Sequence, residues 1–312
     1  RAERATIGGV LATDASGALR LRFGPARDFT LGMRVVNAHG TLIKCGGKVV
    51  KNVAGYEMTK LYIGSLGTLA LIAEATFKVF PKPQEEITFV AAFATLGDAD
   101  ATARTLWNLT TAPLALELFD SQIARGLGFE TKASEWMIAA RFGGTQSLAR
   151  AALDKAIRAA KENNTREFAE ARRASLWDDI ANLPITLRDQ NPRGAIVRVA
   201  CAPARVCETI ETILQCAHAN SIEPKLFAHA RAGIIHVGLD GEIEILKKTI
   251  AELRAARAPN PASVVIEAAP RALKEKISVW GEAGAAHFLN QRIKKQFDPQ
   301  NIFNPGRFVG GL

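Results

Sequence analysis

The spacing of apolar and polar residues predicts short, strand-rich elements in the first 80 residues of this chain. Leu19–Phe23 alternates as a strand. Met33–Asn37 and Thr41–Cys45 are predicted to form a hairpin, and Glu57–Leu61 has a short helical pattern. The long apolar run Leu69–Phe80 ends at two prolines, which predicts a buried strand that stops there.

The pattern changes after Gln84-Glu85-Glu86, and from there one order of elements occurs twice. The first copy is strand Ile87–Ala94, helix Asp98–Leu109, strands Leu114–Phe119 and Trp136–Phe142, helix Thr145–Lys161 and a short strand near Phe168. The second copy is strand Ala195–Cys201, helix Ala204–Ala219, strands Lys225–Ala230 and Ile234–Leu239, helix Ile243–Ala256 and strand Ser263–Glu267. A double βαββαβ unit predicts an α+β fold with one antiparallel sheet and helices on one face.

Two further segments connect and close this repeat. Between the copies we expect a helix over Arg172–Ala181, followed by a loop that contains Pro184 and Pro192. At the C-terminal end, Lys274–Val279 and Ala283–Phe297 have helical patterns. The second of these helices is predicted to have one apolar face, formed by Ala285, Phe288, Leu289 and Ile293.

Composition narrows the class of protein. The chain has 312 residues, 48% hydrophobic and 23% charged, as expected for a globular protein of two domains. Its net charge of +9 is dispersed and aromatic residues reach only 7%, which argues against nucleic acid and favours small carboxylates or an acidic partner subunit. The four cysteines form no C-x-x-C pair, so neither a zinc ribbon nor an iron–sulfur cluster is predicted. We expect reduced thiols and a cytoplasmic location, and no transmembrane segment.

Glycine-rich turns mark the segment most suited to a ligand. The loop 64–68, Gly-Ser-Leu-Gly-Thr, has two residues without a Cβ, so we expect its main-chain N–H groups to approach a ligand. Gly8-Gly9 offers a second such position, and Lys51-Asn52 adds a cation and an amide. Taken alone, the Gly8-Gly9 pair is equally typical of a plain tight turn, and the loop 64–68 is more typical of one.

The sequence motif around these glycines is more specific. The run K-N-V-A-G-Y-x-x-T-K-L-x-I-G-S-L-G-T-L, with G-G-V-L-A-T upstream and N-P-G-R near the C-terminus, resembles vanillyl-alcohol-oxidase-type (PCMH-type) FAD-binding flavoproteins. Within that family it resembles the FAD-binding subunits of glycolate oxidase, over nearly the whole chain. The resemblance implies FAD as the cofactor. The residues it implies for FAD binding are Thr6, Ile7, Gly8, Gly9, Ala12, Thr13, Lys51, Asn52, Gly64, Gly67, Thr68, Leu69, Ile72, Asn304 and Arg307.

The resemblance also predicts the domain plan. Residues 1–84 are expected to be the second half of the FAD-binding domain, with the preceding subdomain missing from this sequence. Residues 85–285 would form the α+β substrate domain, and residues 286–312 would return to the first domain. Without the missing glycine-rich loop, we expect residues 1–312 to retain little flavin.

His229 and His236 form an H-x6-H pattern across a predicted turn between two strands. Two imidazoles brought together by a hairpin can bind a divalent metal. Related 2-hydroxy-acid dehydrogenases have Asp-Gly-Asn inside the matching segment and a later Glu-His pair, whereas here Ala268 follows Glu267. We therefore predict no metal, with the two histidines as weak candidate ligands.

The same two histidines are candidate catalytic residues, together with Arg198, whose guanidinium suits a substrate carboxylate. Arg188 and Arg193 are alternatives for that role, and surface roles are open for each arginine.

The resemblance implies oxidation of a small 2-hydroxy acid such as glycolate to its oxo acid, glyoxylate, with electrons passing from the flavin to an iron–sulfur partner subunit. A second flavoprotein subunit is expected in the complex, which allows peripheral association with the inner face of a membrane. One alternative is a non-catalytic subunit that carries FAD or only contacts its partners, because the H-x6-H pattern is degraded. Another is an independent oxidase of a different alcohol.

Overall fold

The computed structural model of this chain describes residues 5–49, 55–256 and 263–312. They form two compact units. The first comprises residues 1–82 and 282–312, and the second comprises residues 83–281.

The first unit is built on a small antiparallel sheet. Its elements are α1 (Ile7–Thr13), α2 (Arg20–Phe23), α3 (Ala26–Phe29), β1 (Thr30–Val36), β2 (Leu42–Gly46), α4 (Met58–Tyr62), β3 (Leu71–Phe77) and, from the C-terminal end of the chain, α12 (His287–Phe297). The strand order is β2-β1-β3. A core of Leu11, Met33, Val35, Tyr62 and Leu69 lies beneath the sheet, and Ile293 and Phe297 of α12 pack against it.

The structure confirms the predicted hairpin as β1 and β2, and the short helix as α4. The strand predicted over Leu19–Phe23 is wrong, because these residues enter α2, a single turn of helix that ends at Gly24 with φ of +82°. The buried strand predicted over Leu69–Phe80 is shorter, and most side chains of β3, an edge strand of the sheet, are exposed. Its apolar run gave no indication of which face lacks a covering layer.

The C-terminal helix is also shorter than predicted. Residues 283–286 are not helical, and the predicted helix Lys274–Val279 is replaced by α11 (Arg271–Lys274), which belongs to the second unit. On α12 the predicted apolar face is wrong in part, since Phe288 and Leu289 are exposed while Ile293 packs on the core.

The second unit contains one antiparallel sheet of eight strands. Its remaining elements are β4 (Glu85–Phe93), α5 (Leu96–Trp107), β5 (Ala115–Asp120), α6 (Ser121–Gly126), β6 (Trp136–Gly144), α7 (Gln146–Glu162), β7 (Thr165–Ala171), α8 (Leu176–Gln190), β8 (Ala195–Ala200), α9 (Val206–Ala219), β9 (Lys225–His229), β10 (Ile234–Leu239), α10 (Ile243–Ala255) and β11 (Ser263–Ala268). The strand order is β11-β8-β10-β9-β5-β6-β4-β7. The predicted double βαββαβ unit is therefore confirmed.

The two copies of the repeat occupy matching halves of this sheet. The second copy has the order β11-β8-β10-β9, and the first has β7-β4-β6-β5, so the inner strands β9 and β5 meet at the centre. Their pairing is antiparallel, with Glu117 opposite His229 and Phe119 opposite Phe227. Side chains of a strand alternate between faces, so these four residues lie on one face of the sheet.

The segment between the copies covers that same face. Leu176, Ile180, Leu183 and Leu187 of α8 pack with strand residues such as Val90, Phe119 and Phe227. The four helices of the repeats, α5, α7, α9 and α10, contribute no residue to this cluster, so α8, which lies outside the repeats, is the long helix on this face among the described residues. The predicted loop at Pro184 is wrong, since this proline lies inside α8.

The turn between β9 and β10 depends on one glycine, which gives a first prediction. Gly233 has φ of +70°, and a Cβ there would lie 2.1 Å from the carbonyl oxygen of Cys201. We expect Gly233→Ala to lower the free energy of unfolding by about 3 kcal/mol, because strain and a backbone clash add. Chemical denaturation measures the change. Gly126→Ala is the matched control, because nothing lies within 4 Å of its Cβ, and it should change stability by less than about 1 kcal/mol. Equal effects of the two would contradict the argument.

Candidate active site

Five charged or titratable side chains lie together on the sheet face that α8 partly covers. We call Glu117, Arg198, His229, His236 and Glu267 the polar cluster. They come from the five strands β5, β8, β9, β10 and β11. The register places Glu117 opposite His229, and His236 opposite Arg198. A register shift between Ile266 and Ala268 interrupts the alternation of β11 at Glu267.

The buried half of the cluster is the pair Glu117 and His229. The Glu117 side chain is 0% exposed, and both of its carboxylate oxygens lie near Nδ1 of His229, at 2.8 and 2.9 Å. A carboxyl group enters a sheet interior at large cost unless it is hydrogen-bonded. The imidazole supplies that hydrogen bond.

The second half is a three-residue chain of contacts. Nδ1 of His236 lies 3.2 Å from Oε2 of Glu267, whose Oε1 lies 3.0 Å from Nε of Arg198. The His236 ring stacks on Phe227 with centroids 4.6 Å apart, and the two imidazole centroids are 5.7 Å apart. The sequence-predicted catalytic residues His229, His236 and Arg198 are thus brought together.

Charge holds Glu267 in its ionised form. Burial raises the pKa of this carboxyl, but the hydrogen bond and charge of His236 and the guanidinium of Arg198 outweigh burial, so the pKa lies below its usual value. Glu267 therefore remains an acceptor for both neighbours through the neutral pH range.

The hairpin does bring the two histidines close, as their spacing predicted. Each Nδ1, however, faces a different carboxylate. Within residues 5–49, 55–256 and 263–312, no group of three or more His, Cys, Asp or Glu side chains is arranged to hold a metal ion.

The other candidate arginines lie outside the cluster. Arg188 is on α8 and pairs with Asp189 at 2.9 Å, and Arg193 lies exposed in the turn before β8. Sequence reasoning missed Glu117. Its signal was a charged residue inside the apolar run Ala115–Phe119 of β5, which indicates a buried charge that needs a partner.

The first unit brings the predicted cofactor-binding stretches together. The stretch around Gly8-Gly9 is helix α1, whose N-cap Thr6 accepts a hydrogen bond from the N–H of Gly9. The loop 64–68 contacts this helix through two main-chain hydrogen bonds. The N–H of Gly64 donates to the carbonyl oxygen of Leu11 at 2.9 Å, and that of Leu66 to Ala12 at 2.7 Å.

The loop uses its own N–H groups for this contact. Besides Gly64 and Leu66, the N–H of Ser65 donates to Tyr62 and that of Thr68 to Ser65. The expectation that the loop offers its N–H groups to a ligand is wrong for these four residues. The glycines instead allow positive φ, +80° at Gly64 and +68° at Gly67, on either side of Leu66 at +55°.

A buried lysine near the C-terminus supports the loop from behind. Nζ of Lys294 donates to the carbonyl oxygens of Thr68 and Phe303, each at 2.9 Å, and to Oδ2 of Asp298 at 2.6 Å. Asn304 donates to the carbonyl oxygen of Leu66 at 2.7 Å. We call Lys294, Asp298 and Asn304 the loop clamp.

Asp298 is as tightly held as the lysine. Its carboxylate also accepts from the N–H groups of Ile302 and Phe303. Burial raises its pKa, but Lys294 and these two N–H groups outweigh burial and hold the pKa below its usual value. Lys294 and Asp298 were not predicted from the sequence. The available signal was a lysine beside Ile293 on an amphipathic helix, four residues before an aspartate.

The residues of this region fit a flat, partly apolar ligand. Gly8 packs closely on β3, where a Cβ would lie 3.2 Å from the carbonyl oxygen of Ile72. The neighbouring Ile7 and Leu71 are 59% and 60% exposed, which leaves apolar surface beside the loop. Lys51 and Asn52 lie outside the described residues, and Arg307 lies in the tail after Asn304.

Comparison with known proteins defines the class to which this fold and site belong. Residues 1–46 match the family model described as an FAD binding domain. Residues 82–242 and 280–308, more than half of the chain, match the model of the C-terminal domain of FAD-linked oxidases. The chain therefore belongs to the FAD-linked oxidases, and the predictions of an FAD-dependent oxidoreductase and of FAD as its cofactor are confirmed.

Individual relatives narrow the resemblance. The chain is 28% identical to glycolate oxidase subunit GlcD of Bacillus subtilis (strain 168), over 97% of this chain and 67% of that protein. It is 30% identical to D-lactate dehydrogenase of Archaeoglobus fulgidus, over 100% of this chain and 71% of that protein. A shorter match of 41% identity to glycolate oxidase subunit GlcE of Escherichia coli (strain K12) covers 28% of this chain and 25% of that protein. The predicted resemblance to glycolate oxidase FAD-binding subunits is confirmed.

Among solved structures, alkyldihydroxyacetonephosphate synthase has the same fold, with a TM-score of 0.67 at 16% identity. The match covers 96% of this chain and 57% of that one, so the chain spans a little more than half of the solved structure. None of the described helices is both long and apolar enough to span a membrane.

Proposed function

We propose that this chain is the FAD-binding subunit of an oxidoreductase that converts a small 2-hydroxy acid, such as glycolate, into its 2-oxo acid. The observation that carries the proposal is the polar cluster, which places one guanidinium and two imidazoles on one sheet face. A 2-hydroxy acid presents a carboxylate to the first and a hydroxyl proton to the second. Glycolate and D-lactate, the acids after which these relatives are named, share this chemistry.

The side chains of the polar cluster have different roles in this reaction. Arg198 orients the substrate carboxylate with guanidinium N–H groups other than the Nε that faces Glu267. A histidine of the cluster accepts the hydroxyl proton. When bound, FAD supplies the acceptor for the hydride that leaves the α-carbon. We propose that α1, the loop 64–68, Leu69, Ile72, Asn304 and Arg307 hold FAD, with Lys51 and Asn52.

The proposal includes partners. The relatives include two differently named subunits of glycolate oxidase, which supports a complex of more than one flavoprotein chain. The four cysteines are free thiols without a cluster spacing, which supports an iron–sulfur partner as the electron acceptor. Any association with a membrane would then occur through those partners.

One observation favours a second candidate, a subunit that carries FAD without turnover. Each cationic or imidazole group of the polar cluster already has a carboxylate partner, His229 with Glu117 and both His236 and Arg198 with Glu267. A substrate must compete with Glu267 for Arg198. This pairing is also consistent with a site that no longer binds a substrate.

An anaerobic absorbance spectrum of the full-length protein, purified alone, tests the proposal. We expect flavin peaks that bleach within one turnover after glycolate or D-lactate is added, because the hydride reduces the flavin. Peaks that persist with both acids, while dithionite bleaches them, would support the non-catalytic subunit instead. Reduction only by an alcohol without a carboxylate would contradict the role of Arg198.

A further inference from the structure

Glu117 has no part in the catalytic set predicted from the sequence, yet it is the most deeply buried charged residue of the polar cluster. Its side chain is 0% exposed, against 33% for Glu267. Among the described residues, its side-chain hydrogen-bond partner is His229, and no arginine or lysine pairs with it. A carboxylate in such surroundings interacts mainly with that one imidazole.

A carboxylate facing Nδ1 favours the tautomer in which this nitrogen carries the proton. The distances from Nδ1 of His229 to the two Glu117 oxygens are 2.8 and 2.9 Å. Near-equal distances are those of one N–H shared between two carboxylate oxygens, so Nδ1 is the donor. In the neutral ring the lone pair, and with it the capacity to accept a proton, is then on Nε2.

His236 has a weaker version of the same arrangement. Its Nδ1 also faces a carboxylate, but at 3.2 Å, and Glu267 divides its charge between His236 and Arg198. Phe227 stacks on the His236 ring with an interplanar angle of 8°, whereas it meets His229 edge-on at 84°. The two histidines are therefore not equivalent. The carboxylate that faces His229 is closer and more deeply buried than the one that faces His236.

We propose that Glu117 is a positioning residue that fixes His229 as the Nδ1–H tautomer and thereby makes its Nε2 the base of the proposed 2-hydroxy-acid oxidation. This inference rests on the proposed function for its chemistry. The O–H bond of the substrate hydroxyl breaks and its proton moves to Nε2 of His229. With FAD bound, the α-hydrogen would leave with two electrons to the oxidised flavin, so that the acid would be oxidised to the oxo acid and the flavin reduced. Glu117 stabilises the resulting imidazolium without touching the substrate.

Nitrogen-detected NMR of the full-length protein with ¹⁵N-labelled histidine tests the tautomer directly, without substrate. At alkaline pH, where the ring is neutral, we expect the His229 signals of Nδ1–H with an unprotonated Nε2, assigned by their loss in His229→Ala. In Glu117→Met, which has similar volume and no acceptor oxygen, the ring should change to Nε2–H. Glu117→Gln keeps an oxygen at the same reach and should retain Nδ1–H. An Nε2–H ring in the unmodified protein would overturn the proposal, even if the methionine variant fails to fold.

Steady-state kinetics of the FAD-loaded protein supply the second measurement. We expect Glu117→Met to lower kcat by about 100-fold with KM changed less than about 3-fold, because a base acts in the transition state. Glu117→Gln should recover part of that loss. Glu135→Met is the matched control, since Glu135 is a buried carboxylate whose partners, Lys132 and Arg166, lie outside the polar cluster. It should leave kcat unchanged.

The two measurements separate this inference from the proposed function. If the tautomer changes as expected but no 2-hydroxy acid reduces the flavin, the proposed function fails while Glu117 still positions His229. If the acid reduces the flavin but kcat is equally insensitive to Glu117→Met and Glu135→Met, the function holds and the role of Glu117 is overturned.

Discussion

Lys294→Met is expected to lower the free energy of unfolding of the first unit by about 3–5 kcal/mol, because it leaves the Asp298 carboxylate buried without its cation. The same change removes the donor to the carbonyl oxygens of Thr68 and Phe303. The loop clamp then holds the loop 64–68 through Asn304 alone. We therefore also expect the purified full-length protein to contain less flavin per chain. Chemical denaturation and flavin absorbance measure the two effects.

The neighbouring lysine provides the control. Lys295 is exposed on the same helix, so Lys295→Met should change stability by less than about 0.5 kcal/mol and leave the flavin content unchanged. Asp298→Asn in the Lys294→Met background removes the uncompensated charge and should recover part of the loss. A double variant less stable than Lys294→Met would contradict the buried-charge argument.

The dependence of stability on acid pH tests the contribution of Asp298 to its pair with Lys294. The pKa of Asp298 is lower in the folded than in the unfolded chain. Its contribution to stability is therefore complete above the unfolded pKa of about 4 and is lost as pH falls through the lowered folded pKa. In Lys294→Met this dependence on pH should weaken, because the cation that lowers the pKa is gone.

Arg198→Met is expected to lower kcat/KM for glycolate or D-lactate by roughly 100-fold, because hydrogen bonds from a guanidinium to a carboxylate contribute about 1.5–3 kcal/mol each. Most of the change should appear in KM, since the carboxylate is bound in both ground and transition states. Arg198→Lys should restore only part of the loss, because an ammonium lacks the two-pronged geometry. Steady-state kinetics with the full-length protein measure kcat and KM for the unmodified protein, Arg198→Met and Arg198→Lys.

Arg188→Met is the matched control for this substitution. Arg188 is a half-exposed arginine of the same unit that pairs with an aspartate, Asp189, outside the polar cluster. It should leave kcat/KM unchanged. If both variants lose activity equally, the effect is one of general charge, and the assignment of the substrate carboxylate to Arg198 is contradicted.

The sequence predicted best where local pattern and tertiary environment agree. The strands and helices of the second unit follow directly from apolar alternation and helical periodicity, and its repeat predicted the eight-stranded sheet. The pattern failed at the periphery. Leu19–Phe23 is too short to distinguish a strand from a helical turn, and Pro184 is accommodated within α8 because that helix packs on the sheet through four apolar residues on one side.

The candidate sites show the same division. The sequence by itself determined the FAD family, through its glycine-rich motifs. It also selected His229, His236 and Arg198, because imidazole and guanidinium groups suit the hydroxyl and carboxylate of a hydroxy acid. Only the tertiary structure decided that Glu117, more than one hundred residues away from His229, is its partner across the central strand pair. Likewise it decided that Lys294 supports a loop 226 residues upstream. Such partners are set by strand register and by the packing of distant segments, for which local periodicity has no signal.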